Sequence, residues 1–268
     1  MTSFGEHLKR RCLIVMAYLV GIFMLVPLIA VIPISFTPKR FLSMPGSDWS
    51  LRHYHALFTS DAWTGSIADS AVIALVSACL ATLLATAFAL GFWYRRPRFG
   101  ALLVGLAILP LAVPPVVSAV IIYFLEARLG IIDSYLGLVI THVIMVSPFA
   151  VIVMLTAVSR LDRSLELASR NLGASAVQTT FLIVLPNLKF GLFSAWFLSL
   201  VLSWEEIAVT LFVSGIDVIT LPKRIWDGLR LNVDPVIAAV SVILMAVTVL
   251  VILARSFLVY AGRAKNHT

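Results

Sequence analysis

The sequence predicts an all-α integral membrane protein with six transmembrane helices, and three observations carry that prediction. Of 268 residues, 61% are apolar and only 12% charged, whereas a soluble domain carries about 25% charged residues. Mean hydropathy is +1.04. The apolar residues also gather into six blocks, each able to supply the roughly 20 helical residues that cross a hydrocarbon core. These facts exclude a soluble enzyme or nucleic-acid-binding domain. A single membrane domain over residues 1–268 is expected, with no second soluble domain.

The blocks run 12–36, 67–93, 100–124, 136–158, 190–213 and 236–253. The first is too long for a signal-peptide core and lacks a small-residue cleavage site after it, so it reads as a retained helix. Cys12 and Cys79 fall inside blocks and read as core-packing residues, too few for a disulfide framework or a cysteine metal site. The connection 37–66 carries Trp49, Tyr54 and Trp63 and reads as a surface helix or ordered loop in an interfacial aromatic belt. Pro27, Pro33, Pro110, Pro114, Pro115 and Pro148 lie within blocks, where each removes a backbone donor and kinks or breaks its helix. The run Leu109-Pro110-Leu111-Ala112-Val113-Pro114-Pro115 predicts a third span bent near its centre. His142 has no His, Cys or acid beside it at metal spacing and reads as a helix-packing residue.

Orientation follows from the basic residues. Lys9, Arg10, Arg11, Arg95, Arg96, Arg98, Arg160, Arg163, Arg170, Lys189, Arg255, Arg263 and Lys265 fall on one side of the six spans, accompanied there only by Glu6, Asp162 and Glu166. Basic residues accumulate in cytoplasmic loops, so both termini are expected in the cytoplasm. Arg95-Arg96-Pro97-Arg98 is then a topology-setting turn, and the formal charge of +7 needs no nucleic acid to explain it.

The loop 160–188 between spans four and five reads as two short helices. Asp162 caps the first, Gly173 ends it with positive φ, and Ser175 with Gln178 forms a capping box for the second. Leu161, Leu165, Ala168 and Leu172 make one apolar stripe, while Glu166 and Arg170 pair at i, i+4 on another face. An exposed stripe of this kind suits a partner groove. Leu185-Pro186 stops the second helix before span five, so a push on the loop is expected at the base of spans four and five.

Gly173, nine further residues and Ile183-Val184-Leu185-Pro186 resemble the signature loop of permease subunits of binding-protein-dependent ABC importers. That pattern runs Glu-Ala-Ala, three residues, Gly, nine residues, Ile, one residue, Leu-Pro. Leu167-Ala168-Ser169 occupies the Glu-Ala-Ala positions here, and Glu166 stands one place earlier. The resemblance implies a type I ABC importer permease fold, with a cytoplasmic coupling helix that docks into a partner ATPase. The resemblance implies that role for Glu166 through Gly173, so Glu166, Ala168, Ser169, Arg170, Leu172, Gly173, Ile183, Leu185 and Pro186 are the candidate coupling residues, of which Ala168, Gly173, Ile183, Leu185 and Pro186 match the pattern itself. No Gly-x-x-x-x-Gly-Lys-Ser/Thr occurs in the chain. ATP and Mg therefore belong to the partner ATPase; this chain is expected to bind no cofactor or metal and to be no enzyme itself. The implied partners are a second, similar or identical permease, two ATPase subunits, a substrate-binding protein outside the inner membrane, and membrane lipid.

Further stretches are similar to the polyamine (spermidine and putrescine) branch of these permeases. They are Thr141-His142 with Ser147-Pro148-Phe149, then Leu202-Ser203-Trp204-Glu205-Glu206-Ile207-Ala208-Val209, Phe212-Val213-Ser214-Gly215, Thr220-Leu221-Pro222, Ile225-Trp226 and Val233-Asp234-Pro235.

Glu205 and Glu206 stand out without any resemblance, because an acid at a bilayer centre costs about 2.5–3.5 kcal/mol on insertion scales. At 1.5 Å per residue from Phe190, Glu206 is roughly 24 Å along span five, toward the outside. Ser199, Ser203, Glu206, Thr210 and Ser214 form one continuous polar stripe on that helix, whereas Glu205 shares a face with apolar residues. Ser199, Ser203, Trp204, Glu205, Glu206 and Thr210 are the candidates for a substrate path, with Glu206 foremost for attracting a di- or polycation. Two other readings are open: the acids serve only as snorkelling or intersubunit ion-pairing groups, or they relay protons in a secondary transporter. An intramembrane enzyme is disfavoured, since neither His-Glu-x-x-His nor Gly-x-Ser-x-Gly occurs.

Overall fold

The computed structural model describes residues 3–231 and 233–265, with side chains at 9–231 and 233–254. Glu6, Arg255, Arg263 and Lys265, counted above for charge, lie outside the described side chains. Every regular element among the described residues is helical. The backbone divides into two compact units: Met1–Thr64 with Ile225–Thr268, and Gly65–Arg224.

In the first unit α1 (Ser3–Ser35) packs on α13 (Val236–Lys265), and α2 (Arg52–Thr59) packs on α13 as well. The connection 37–66 contains α2, as the aromatic pattern suggests. Phe36 contacts the rings of Trp49 and Tyr54, and the Tyr54 hydroxyl meets Ser35 Oγ at 2.7 Å. Pro27 and Pro33 sit inside α1 without ending it. Cys12 is exposed rather than core-packed, because α1 presents apolar side chains on nearly every face, as a lipid-facing helix does.

The second unit holds α3 (Asp61–Arg95, from Gly65 on), α4 (Gly100–Ile108), α5 (Pro115–Leu129), α6 (Tyr135–Ser159), an elbow of α7 (Arg163–Asn171), α8 (Ala176–Thr179) and α9 (Leu185–Asn187), then α10 (Lys189–Glu205) and α11 (Thr210–Val213), followed along the chain by α12 (Leu221–Leu231). Side-chain size, not polarity, decides what it buries. Along α3 the buried face reads Ile73, Ala74, Ser77, Ala78, Ala81, Thr82, Ala85, Thr86, Ala89, while Val72, Leu75, Val76, Leu80, Leu83 and Leu84 face outward. Lipid tails are as apolar as leucine, so small residues that allow close approach gain the helix contacts. Cys79 lies on that outward face, which again corrects the core-packing expectation.

Four helices among the described residues are individually long and apolar enough to cross a bilayer, and counting each of two bent pairs as one span brings the number to six. The third span breaks as its prolines predict: a 3-10 turn covers Leu109–Ala112, and the axes of its halves differ by 98°. Pro115 forces Pro114 into extended backbone (ψ 135°), so the helix restarts at Pro115. Pro148, alone in α6, is carried without a break.

Span five departs from expectation. The predicted helix 190–213 ends at Glu205; Glu206 is extended (ψ 114°) and the short α11 follows. Glu206 Oε1 accepts the Val209 amide at 2.9 Å, a capping bond that competes with helix continuation. The continuous polar stripe of the single-helix reading is therefore interrupted at its acid.

Beyond α11, the carboxylate of Asp133 in the α5–α6 hairpin accepts four backbone amides, from Gly215 (2.7 Å), Ile216 (2.6 Å), Asp217 (3.0 Å) and Val218 (3.3 Å). Asp133 itself has φ 56°, and its amide donates to the Val213 carbonyl. Partial burial pushes its carboxyl up, but the four amides outweigh that and hold it below the ordinary range. A depressed folded value means stability present above the unfolded value near 3.9 and lost as pH falls through the lower folded value. Asp133→Ala is expected to lower the thermal midpoint of the detergent-purified chain at pH 7. That deficit should close as the pH drops well below 3.9, and an equal deficit at every pH would contradict the assignment.

Candidate functional site

The loop 160–188 folds into the elbow its sequence describes. Asp162 accepts the Ser164 amide at 2.8 Å and caps α7 (Arg163–Asn171); this bond holds its exposed carboxyl below the usual range. Gly173 has φ 88°, a conformation that favours glycine. Ser175 and Gln178 make both bonds of the capping box at the start of α8 (Ala176–Thr179). A π-turn over Thr180–Val184 leads to α9 (Leu185–Asn187), and the chain bends by 69° into α10.

The predicted coupling residues divide between two jobs. Leu165, Leu167 and Leu172 are exposed, Leu172 at 89%, and Ala168 and Pro186 are exposed beside them. Glu166 and Arg170 approach to 3.9 Å. Ser169 points the other way: it is buried, and its hydroxyl meets Thr179 Oγ1 at 2.9 Å, tying α7 to α8. Ile183 and Leu185 are partly buried, and the Ile183 carbonyl accepts the Asn187 amide group.

Three attachments of this elbow are not visible in the sequence. Arg163 donates to the Trp93 carbonyl at the end of α3 and stands over the Trp93 ring, 5.4 Å from its centroid. The Tyr94 hydroxyl meets Thr180 Oγ1 at 2.8 Å. Val184 and Leu188, each 2% exposed, enter an apolar cluster with Ala85, Ala89, Trp93, Met154, Val158 and Ala195. These contacts join the elbow to span two as well as to spans four and five.

At the break in span three lies a cavity of about 280 Å³. Pro110, Leu111, Val113 and Pro115 form one wall, Met145, Val146 and Phe149 of α6 another, and Leu202 and Glu206 close it. Glu206 is the one charged residue in this lining. A lone carboxylate in a mostly apolar, partly open cavity favours a cationic guest over an anionic one.

The other predicted path residues are not gathered there. Ser203 and Thr210 are buried and hydrogen-bonded to the two ring nitrogens of His142, at 2.7 and 3.2 Å. His142 is thereby a satisfied packing residue that spans the break at Glu206. Ser199 is also buried, away from the cavity lining. Glu205 is exposed and Trp204 half-buried, and neither lines the cavity. Ser199 and Ser203 lie on the buried face of α10, and of the predicted path residues only Glu206, just past the end of that helix, reaches the cavity.

Residues 77–264 match the family described as binding-protein-dependent transport system inner membrane component. The spermidine/putrescine transport system permease protein PotC of Haemophilus influenzae is 27% identical over 251 residues, covering 93% of this chain and 96% of that protein. The putrescine transport system permease protein PotI of Escherichia coli is 27% identical over 230 residues, covering 83% of this chain and 82% of that one. A probable molybdenum ABC transporter permease protein of Haloferax volcanii is 31% identical over 183 residues, covering 64% and 68% of the two chains. A chain in the crystal structure of a bacterial ABC transporter involved in import of the acidic polysaccharide alginate has the same fold. Its TM-score is 0.68 at 20% identity, covering 92% of this chain and 96% of that one. The chain belongs to the family of binding-protein-dependent transport system inner membrane components.

Proposed function

We propose that this protein is the permease subunit of an ATP-driven importer that carries polyamines, putrescine or spermidine, inward after delivery by a binding protein. The observation that carries the substrate assignment is Glu206, the single charge in the cavity at the broken third span. Its sign suits an amine cation and opposes an acidic cargo such as the polysaccharide named for the structural neighbour. The relatives named for spermidine and putrescine support the same choice.

In this reading both termini face the cytoplasm, as the basic residues indicate. A second permease completes the pathway, and two ATPase subunits hold ATP and Mg. The exposed leucines of α7 insert into an ATPase groove, and closure of the ATPases swings the elbow. The attachments at Trp93, Thr180, Val184 and Leu188 carry that motion to α3, α6 and α10, switching the cavity between outward and inward access. No step of hydrolysis takes place on this chain.

Two variants test the two halves. Glu206→Gln should lower uptake of labelled putrescine by about ten-fold, or 1.4 kcal/mol, at unchanged membrane abundance; uptake equal to wild type removes the acid from the path. Gly173→Val places a branched side chain at φ 88°, a strain of about 1–3 kcal/mol. That variant should insert normally yet lose substrate-stimulated ATP hydrolysis in the assembled transporter, and wild-type transport by it would sink the coupling role.

A further inference from the structure

Helices α6 and α10 meet closely at Ala157 and Gly191, where any Cβ on Gly191 collides with the Ala157 side chain. Beside this contact a groove of about 370 Å³ opens, lined by Val153, Ala157, Arg160, Asn187, Phe190 and Ser194 among others. We propose that the groove binds an anionic phospholipid of the cytoplasmic leaflet, with its phosphodiester at Arg160 and Asn187 and its upper acyl chains against Val153, Ala157 and Phe190. The leaflet rests on the orientation proposed above.

The chemistry of the groove is graded along the membrane normal. At its interfacial end the exposed Arg160 caps α6 and makes no ion pair or side-chain hydrogen bond among the described residues. Asn187 donates one amide N–H to the Ile183 carbonyl at 2.7 Å, leaving its second N–H free to donate. From Arg160 to Val153 the groove runs about 10 Å into the hydrocarbon, at 1.5 Å per residue. The hydroxyls along this depth, Thr156 and Ser194, are already spent on backbone carbonyls. A charged rim over an apolar trough matches a headgroup above acyl chains. Basic pockets between helices at the cytoplasmic face are the known form of such sites. An unpaired guanidinium has the wrong sign for a departing polyamine, so the groove is not the exit of the transport path.

Native mass spectrometry of the full chain in detergent tests this, with phosphatidylglycerol, phosphatidylcholine or inorganic phosphate added. Wild type should retain phosphatidylglycerol over phosphatidylcholine by about five-fold, the size expected for one basic side chain at an anionic surface. Arg160→Gln should erase that preference and Arg95→Gln should keep it. Ser194→Phe, which fills the groove without altering charge, should also lose the lipid while eluting as a folded monomer. Equal retention by wild type and either groove variant overturns the site. Displacement of the lipid by inorganic phosphate overturns it in favour of a free-anion site, and loss of retention when a second permease co-purifies assigns the groove to a protein contact. Labelling of an Arg160→Cys chain by a membrane-impermeant maleimide from outside the cell overturns the leaflet and faults the orientation, independently of lipid selectivity.

Discussion

A broken helix inside a bilayer survives only where other protein covers its freed backbone groups, and in the unit Gly65–Arg224 one continuous helix, α6, supports all three breaks. Met145, Val146 and Phe149 face the proline break of span three across the cavity. Met154 and Val158 share the cluster that receives Leu188 at the foot of α10. His142 reaches both sides of the break at Glu206. At about 0.6 kcal/mol for a membrane hydrogen bond, the His142 pair alone cannot hold this arrangement. The close small-residue packing of α3, α6 and α10 does most of that, and the hydrogen bonds set register.

This dependence places the elbow and the cavity on one rod. Phe149 borders the Glu206 cavity and Val158 the elbow cluster, about 14 Å apart at helical rise. Movement of the elbow therefore has a short path to the cavity without crossing flexible backbone. The Asp133 latch makes the opposite end of the unit similarly firm, since four amides converge on one carboxylate. Between these ends, the proline break and the break at Glu206 are where the spans are free to change shape.

The elbow was legible because short polar segments carry strong local rules: Asp162, Gly173, Ser175 and Gln178 each have one conformational job and do it. The bend at Pro110–Pro115 was legible for the same reason. The buried faces were not, because in α3 every face is apolar and the distinction between Ala81 and Leu83 is size, which hydropathy does not register. Nor was the end of α10 legible. Glu206 sits in an apolar run that reads as helix, and only its side-chain bond to the Val209 amide reveals the break. Ser199 and Ser203, on the buried face of α10, and Thr210 beyond the break all face inward, and of the predicted path residues Glu206 alone meets the cavity. Glu126 escaped notice altogether; it is 1% exposed and accepts Thr141 Oγ1 at 2.5 Å.

The account rests on the elbow being mechanically attached to the spans, and Arg163 is the attachment that can be cut without touching the exposed leucine surface of α7. The direct measurement is the ratio of ATP hydrolysed to putrescine imported by the reconstituted transporter carrying Arg163→Gln, against wild type. Loss of the bond to the Trp93 carbonyl and of the ring contact predicts hydrolysis within about two-fold of wild type with import reduced about ten-fold, a cost near 1.4 kcal/mol. An unchanged ratio, with both rates at wild-type level, would contradict the claim that the elbow drives the spans through this contact.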